Sequence, residues 1–179
     1  ADGACSRVGM DAWPGCTSRR AESPAESDLP ASCVDFEQAS QYCRWRRKRL
    51  PTLDEWKLAV ARAGHKYPWG EAGPNCRRAI MYGESRGCGG GGPAPVADRT
   101  LGRSPDGVYD LVGNLREWVL PSGGSGAHDG QLGAASLVPV VGGSWSDGAQ
   151  GISIDSTIEL LPTARDSLTG FRCAREVTP

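Results

Sequence analysis

Seven cysteines constrain the fold of this 179-residue chain more than any other feature of its sequence. They are Cys5, Cys16, Cys33, Cys43, Cys76, Cys88 and Cys173. Zinc sites use closely spaced cysteines with histidines nearby, whereas these cysteines are widely spaced and His65 and His128 are isolated. Disulfide bridges are therefore the better interpretation, and they indicate an oxidising compartment. Because seven is odd, one cysteine is either free or bonded to another chain.

Charge balance and composition limit the kinds of partner and fold. The chain has 20 Lys and Arg against 21 Asp and Glu, so nothing favours nucleic acid or an anionic membrane as a partner. Its 25 glycines and 13 prolines indicate a loop-rich fold. No segment approaches the roughly 18 apolar residues of a membrane span, which we therefore do not expect. The N-terminus has neither a starting Met nor a signal-peptide pattern, so we expect a processed or excised chain.

Periodicity and capping residues predict two helices after a loop-rich start over residues 1–32. Asp35 is placed to cap the first helix. Thr52 and Glu55 form the pattern of a capping box for the second helix, which we expect to end at Gly64. Short strands are expected at 109–112, 115–119, 138–142 and 170–175.

Six short segments follow one another in an order that points to a known family. They are CVDFEQASQYCRW (33–45), KRLPTLDEW (48–56), YPWG (67–70), GVYDLVGNLREWV (107–119), GGSW (142–145) and GFRCAR (170–175). Together they resemble the formylglycine-generating enzyme (sulfatase-modifying factor) family, in particular its bacterial, cysteine-rich members. The resemblance implies an α+β fold: a loop-rich, disulfide-tied variant of the C-type-lectin-like fold with few helices and short strands. It implies a domain over residues 33–179, preceded by residues 1–32 as the loop-rich N-terminal segment of an incomplete domain.

The same resemblance implies a set of disulfide bridges. Similarity, with proximity in sequence for the second and third, suggests Cys43–Cys173, Cys16–Cys33 and Cys76–Cys88. Cys5 then remains. We expect the missing N-terminal part of the domain to exist as a separate chain, with Cys5 as the residue that links to it. The alternative is a truncated chain in which Cys5 is unpaired.

A calcium site is also implied by the resemblance. Asp110, Gly113, Leu115 and Glu117 match family positions that hold a calcium ion. Two carboxylates and backbone carbonyls in a tight turn suit a hard cation with oxygen ligands. The alternative is that Asp110 caps the turn and that Glu117 forms an internal salt bridge or hydrogen bond.

The resemblance places the family's catalytic centre in a stretch that lacks its chemistry here. Enzymes of this family use two cysteines between the GGS and GFRC segments to bind copper(I), and oxygen there oxidises a substrate cysteine. Residues 145–169 of this chain contain no Cys, no His and no Met. Soft thiolates are the ligands that copper(I) requires. We therefore expect no copper cofactor and no formylglycine-generating activity.

These observations favour a secreted, periplasmic or cell-surface module that binds or assembles with other molecules. Its recognition surface would lie in the C-terminal loops, with a protein or peptide as ligand and Trp145 in the core. The surface residues expected are Ser146, Asp147, Gln150, Ser153, Asp155 and Arg165. One alternative is an active enzyme of the formylglycine-generating type, or a divergent enzyme that uses carboxylates of this stretch for acid–base catalysis. A second alternative is a retroelement-diversified ligand-binding protein.

Overall fold

The computed structural model describes residues 16, 28–60, 65–83, 87–123 and 136–176. Short helices and strands in this part of the chain are joined by long loops, so the predicted loop-rich α+β class is confirmed. The elements are α1 (Phe36–Trp45), α2 (Leu53–Val60), a 3-10 helix (Thr100–Gly102), β1 (Arg116–Trp118), β2 (Val138–Val141), β3 (Thr157–Leu160) and β4 (Thr169–Phe171). None of the helices in these described ranges has the length and apolar composition needed to cross a membrane.

Both helices begin at the capping residues that the sequence predicts. At α1 the Asp35 carboxylate accepts a hydrogen bond from the Gln38 backbone N–H at 2.8 Å, and the Gln38 side chain accepts one from the Asp35 N–H. At α2 the Thr52 hydroxyl accepts a hydrogen bond from the Glu55 backbone N–H, and the Glu55 carboxylate accepts one from the Thr52 backbone N–H. Such reciprocal bonds satisfy amides that have no partner within the helix. The predicted end of the second helix, Gly64, lies outside the described residues.

The four strands form one sheet in the order β3–β2–β1–β4. β1 and β4 are parallel, whereas β2 is antiparallel to both β1 and β3. β1 and β2 lie within the predicted ranges 115–119 and 138–142. β4 begins one residue before the predicted range 170–175 and ends at Phe171.

Two strand predictions differ from the structure. Residues 109–112 do not form a strand, because Asp110 takes a φ of 53°, which interrupts an extended backbone. β3 was not predicted from the sequence. Three of its four residues are exposed, so it lacks the apolar alternation by which a strand is usually recognised.

Side chains alternate across the sheet, and each face packs on a different helix. One face carries Val119 and Val141 against α2, and the other carries Trp118 and Val140 against α1. The first core consists of Trp56, Val60, Ala79, Met81, Leu111, Val112, Val119, Val141 and Ile152. The second core consists of Phe36, Ala39, Cys43, Leu50, Trp118, Val138 and Val140. The short sheet is therefore the layer that holds both helices in place.

Three disulfide bridges lie within the described part of the chain. The bonded pairs are Cys16–Cys33, Cys43–Cys173 and Cys76–Cys88, which are the pairs that the resemblance implies. Cys43 and Cys173 are 130 residues apart, and their bridge joins α1 to the chain just after β4. Closing so long a loop contributes about 4–5 kcal/mol in the chain-entropy model. Cys5 lies outside the described residues.

Candidate functional site

The loop before β1, where calcium is expected, is shaped by left-handed backbone conformations. Asp110, Gly113 and Asn114 all have positive φ. A Cβ atom on Gly113 would lie 2.4 Å from the Ile80 carbonyl oxygen, so this position requires glycine. The Asn114 side chain bonds both the N–H and the carbonyl of Ala94 and fixes the loop.

An arginine supplies a positive charge to this loop. Arg172, just after β4, donates from Nε and Nη2 to the two oxygens of Glu117, at 2.6 and 2.5 Å. Its Nη2 also donates to the carbonyls of Tyr109 and Asp110, at 3.0 and 3.1 Å. The Trp56 ring N–H donates to Glu117 as well. Burial alone would lower the pKa of Arg172, but the Glu117 carboxylate outweighs that effect and the pKa lies above its usual value. Glu117 thus forms the internal salt bridge that we gave as the alternative to calcium binding.

Asp110 offers a less compensated carboxylate than Glu117. Burial raises its pKa above the ordinary value, although a hydrogen bond from the Ala97 N–H acts in the opposite direction. Asp110, Leu115 and Glu117 line one cavity of about 290 Å³. Over the residues with described positions, no three His, Cys, Asp or Glu side chains come close enough to hold a metal, so a calcium ion here needs backbone carbonyls as ligands. Arg172 lines the same cavity and already bonds both Glu117 oxygens and the Asp110 carbonyl, so the Asp110 carboxylate is the one charged member of the expected ligand set that this arginine leaves open to a cation.

A second cavity gathers most of the residues expected at the recognition surface. Asp147, Gln150, Ser153 and Asp155 line this cavity, which has a volume of about 420 Å³. Ser146 is exposed in the adjacent turn and is not among the lining residues. Arg165 lies elsewhere and holds the Asp35 carboxylate at the start of α1. The structure therefore brings four of the six predicted residues together.

The four residues play two different parts. Asp147 accepts hydrogen bonds from the Ser144 N–H and hydroxyl, at 2.8 and 2.7 Å, and so closes the turn after β2. Ser153 is buried, and its hydroxyl accepts a hydrogen bond from the Asp155 N–H. Gln150 and Asp155 are exposed. Asp147 and Ser153 thus hold the loop in shape, and Gln150 and Asp155 are the two exposed side chains among the four.

We expected Trp145 in the core, but its side chain is only half-buried. Its ring N–H donates to the Ser167 carbonyl at 3.2 Å, and its backbone N–H donates to the Asn114 carbonyl. It therefore connects the turn after β2 with the segment before β4 and with the loop before β1.

Arg116 and Thr169 are two polar residues of this region that were not predicted. Arg116 lines the same cavity, and its Nε is buried without a hydrogen-bond partner in the described chain. Thr169 lies opposite Arg116 in the β1–β4 pair, is 1% exposed, and its hydroxyl likewise has no partner there. The sequence carries one signal for Arg116, because an arginine at the start of a predicted buried strand needs a counterion or a ligand.

The side chains that line this cavity carry charges and hydrogen-bonding groups. The described range 136–176 includes all of residues 145–169, the stretch without Cys, His or Met. Its side chains offer neither a thiolate for copper(I) nor a thiol that could form a covalent intermediate.

Comparison with known proteins agrees with this architecture. Residues 5–177 match the family model described as "sulfatase-modifying factor enzyme 1-like domain". The chain is 32% identical over 160 residues to the "inactive C-alpha-formylglycine-generating enzyme 2" of Bos taurus, covering 82% of this chain and 50% of that protein. It is 36% identical over 97 residues to the "hercynine oxygenase" of Mycolicibacterium smegmatis, covering 51% of this chain and 22% of that protein.

A solved structure shares the fold. PvdO from Pseudomonas aeruginosa superposes with a TM-score of 0.67 at 26% identity, over 84% of this chain and 63% of that one. The chain spans half the length of the inactive bovine relative, so the comparison concerns the domain and not the whole of that protein. The match over residues 5–177 shows that the chain belongs to the sulfatase-modifying factor enzyme 1-like family.

Proposed function

We propose that this chain is a non-catalytic member of its family and that it serves as a binding or assembly module outside the cytoplasm. The observation that carries the proposal is the composition of residues 145–169, which lack Cys, His and Met. The first carboxylate of this stretch, that of Asp147, is engaged in closing a turn. Relatives from Bos taurus and Mus musculus, each 32% identical, carry names that call them inactive, which supports the same reading.

The arrangement of the surface supports recognition. A sheet packed on both faces and a long-range disulfide hold the loops that surround the cavity of Asp147 and Asp155. Loops on a rigid base are a common location for binding residues. A protein or peptide remains the class of ligand that we predict for the surface as a whole.

Metal binding and turnover test the non-catalytic assignment. Purified protein, with its disulfides intact, is titrated anaerobically with copper(I) and then incubated with oxygen and a cysteine-containing peptide. We expect neither stoichiometric copper(I) binding nor a change in peptide mass, with an active formylglycine-generating enzyme as positive control. Oxidation of the peptide cysteine in repeated turnovers would refute the proposal.

The location outside the cytoplasm is supported by the three bridges, because disulfides persist in oxidising compartments. Thiol labelling of the protein from acid-quenched native cells, unfolded in denaturant without reductant, tests this part, because Cys43 is buried and would escape the reagent in the folded protein even as a thiol. We expect the six paired cysteines to resist labelling until a reductant is added. Rapid labelling of Cys43 and Cys173 without reductant would place the protein in a reducing compartment.

A further inference from the structure

The cavity beside β3 has the volume of a site for a small ligand. Its volume of about 420 Å³ lies in the range of small-molecule pockets. One wall is apolar, since Val140 and Ile158 face it from paired positions on β2 and β3. Ile158 remains 44% exposed, so a ligand placed against it would bury apolar surface.

Two buried polar atoms of the β1–β4 pair, only one of them on a residue that lines this cavity, lack partners within the described residues. They are Arg116 Nε and Thr169 Oγ1. Because the two residues are paired across β1 and β4, their side chains project from the same face of the sheet. Arg116 Nη2 lies 3.9 Å from Asp166 Oδ2, which is too far for a hydrogen bond. The Arg116 side chain lines the cavity and is 16% exposed, so a carboxylate bound there would form charge-assisted hydrogen bonds with its guanidinium group.

Carboxylates on the same cavity restrict the ligand further. Asp155 and Asp147 both line the cavity, and Asp155 is exposed. A ligand with only negative charge would be repelled by these groups, whereas an ammonium group would be attracted to them. A molecule that carries both charges therefore satisfies Arg116 and Asp155 together.

We propose that this cavity binds a small zwitterion of amino-acid or dipeptide size. The carboxylate of the ligand bonds to the Arg116 guanidinium, its ammonium group lies near Asp155, and an aliphatic side chain packs on Ile158. The proposal rests on the proposed function and adds a small-ligand site at one cavity of the surface for which, as a whole, we predict a protein or peptide.

Isothermal titration calorimetry of the whole chain tests the proposal, with zwitterions and their single-charge analogues as probes. The zwitterions are L-leucine and L-leucylglycine, which separate a free amino acid from a peptide source. The single-charge analogues are 4-methylpentanoate, which is leucine without its ammonium group, and 3-methylbutylamine, which lacks the carboxylate. We expect at least one zwitterion to bind tenfold or more tightly than both analogues.

Substitutions in the cavity test whether the zwitterion binds there. Arg116→Lys keeps the positive charge but loses the Nε–H and the forked geometry, and we expect it to weaken zwitterion binding tenfold or more. Asp155→Asn changes an exposed side chain, so we expect the variant to fold normally. We expect it to weaken zwitterion binding by a similar factor. Glu159→Gln is the matched control, because Glu159 is an exposed acid next to Ile158 on β3 and projects from the opposite face. It should bind like the unmodified chain.

Three outcomes would overturn the proposal: no binding of either zwitterion, equal binding of a single-charge analogue, or unchanged binding by both Arg116→Lys and Asp155→Asn. None of these bears on copper or peptide oxidation. Failure of the zwitterion is therefore distinguishable from failure of the non-catalytic assignment.

Discussion

At the scale of single residues, the pair of Glu117 and Arg172 is the most consequential polar contact. Both Glu117 oxygens are bonded, Glu117 is 7% exposed, and its partner also holds two carbonyls of the loop before β1. Removing one partner of a buried pair leaves the other charge uncompensated. We expect Glu117→Gln to lower the free energy of unfolding by about 3–5 kcal/mol, measured by urea titration in EDTA with disulfides intact.

Glu37→Gln provides the control for that measurement. Glu37 pairs with Arg44 on α1, and both side chains are more than 40% exposed. Exposed pairs contribute about 0–1 kcal/mol. If Glu117→Gln cost no more than Glu37→Gln, the buried pair would not be what fixes the loop before β1.

Asp110 is the residue through which we test the predicted calcium site. Its pKa is raised by burial, so a cation beside it would restore the charged form that desolvation disfavours. Ligand binding at 100 times its Kd stabilises a folded protein by about 2.7 kcal/mol. We expect calcium, but not magnesium at equal concentration, to raise the melting temperature, and Asp110→Asn to abolish the increase. The same melting temperature in calcium and in EDTA would contradict calcium binding.

At the scale of elements, α2 depends on an acid-sensitive cap. Glu55 bonds both Arg49, at 2.6 Å, and the Thr52 N–H, and the hydrogen bond from Arg49 is the main cause that lowers the Glu55 pKa from 4.5 to about 2. A lowered carboxylate pKa stabilises the fold above the pKa of the unfolded chain, and this contribution is lost as pH falls towards the folded value. Urea titrations at pH 5 and 2.5 should therefore show a smaller loss of stability in Glu55→Gln than in the unmodified chain. Because Glu55 is partly exposed, we expect the two losses of stability to differ only modestly. Equal losses of stability in the variant and the unmodified chain would contradict a contribution of Glu55 titration to the cap.

At the scale of the whole molecule, local features could be predicted from the sequence, whereas long-range contacts could not, apart from the Cys43–Cys173 bridge that the family resemblance implies. The caps of α1 and α2 depend on residues three positions apart, so Asp35 and Thr52 identify the helix starts. β3 is recognisable only through its pairing with β2. The position of Arg165 is likewise set by a contact with Asp35, 130 residues away, and that of Arg116 by a sheet face that no local pattern describes.

The odd number of cysteines predicts a bond from this chain to another molecule. Three bridges within the chain use six of its seven cysteines and leave Cys5 as the remaining one. We predict that Cys5 forms a disulfide bond to a second chain. Intact mass of the natively purified protein, with and without reductant, tests this: reduction should release a second peptide, and Cys5→Ser should prevent its attachment while the three internal bridges stay. A mass increase of only two hydrogens for each internal bridge would contradict the prediction, because Cys5 would then be a free thiol.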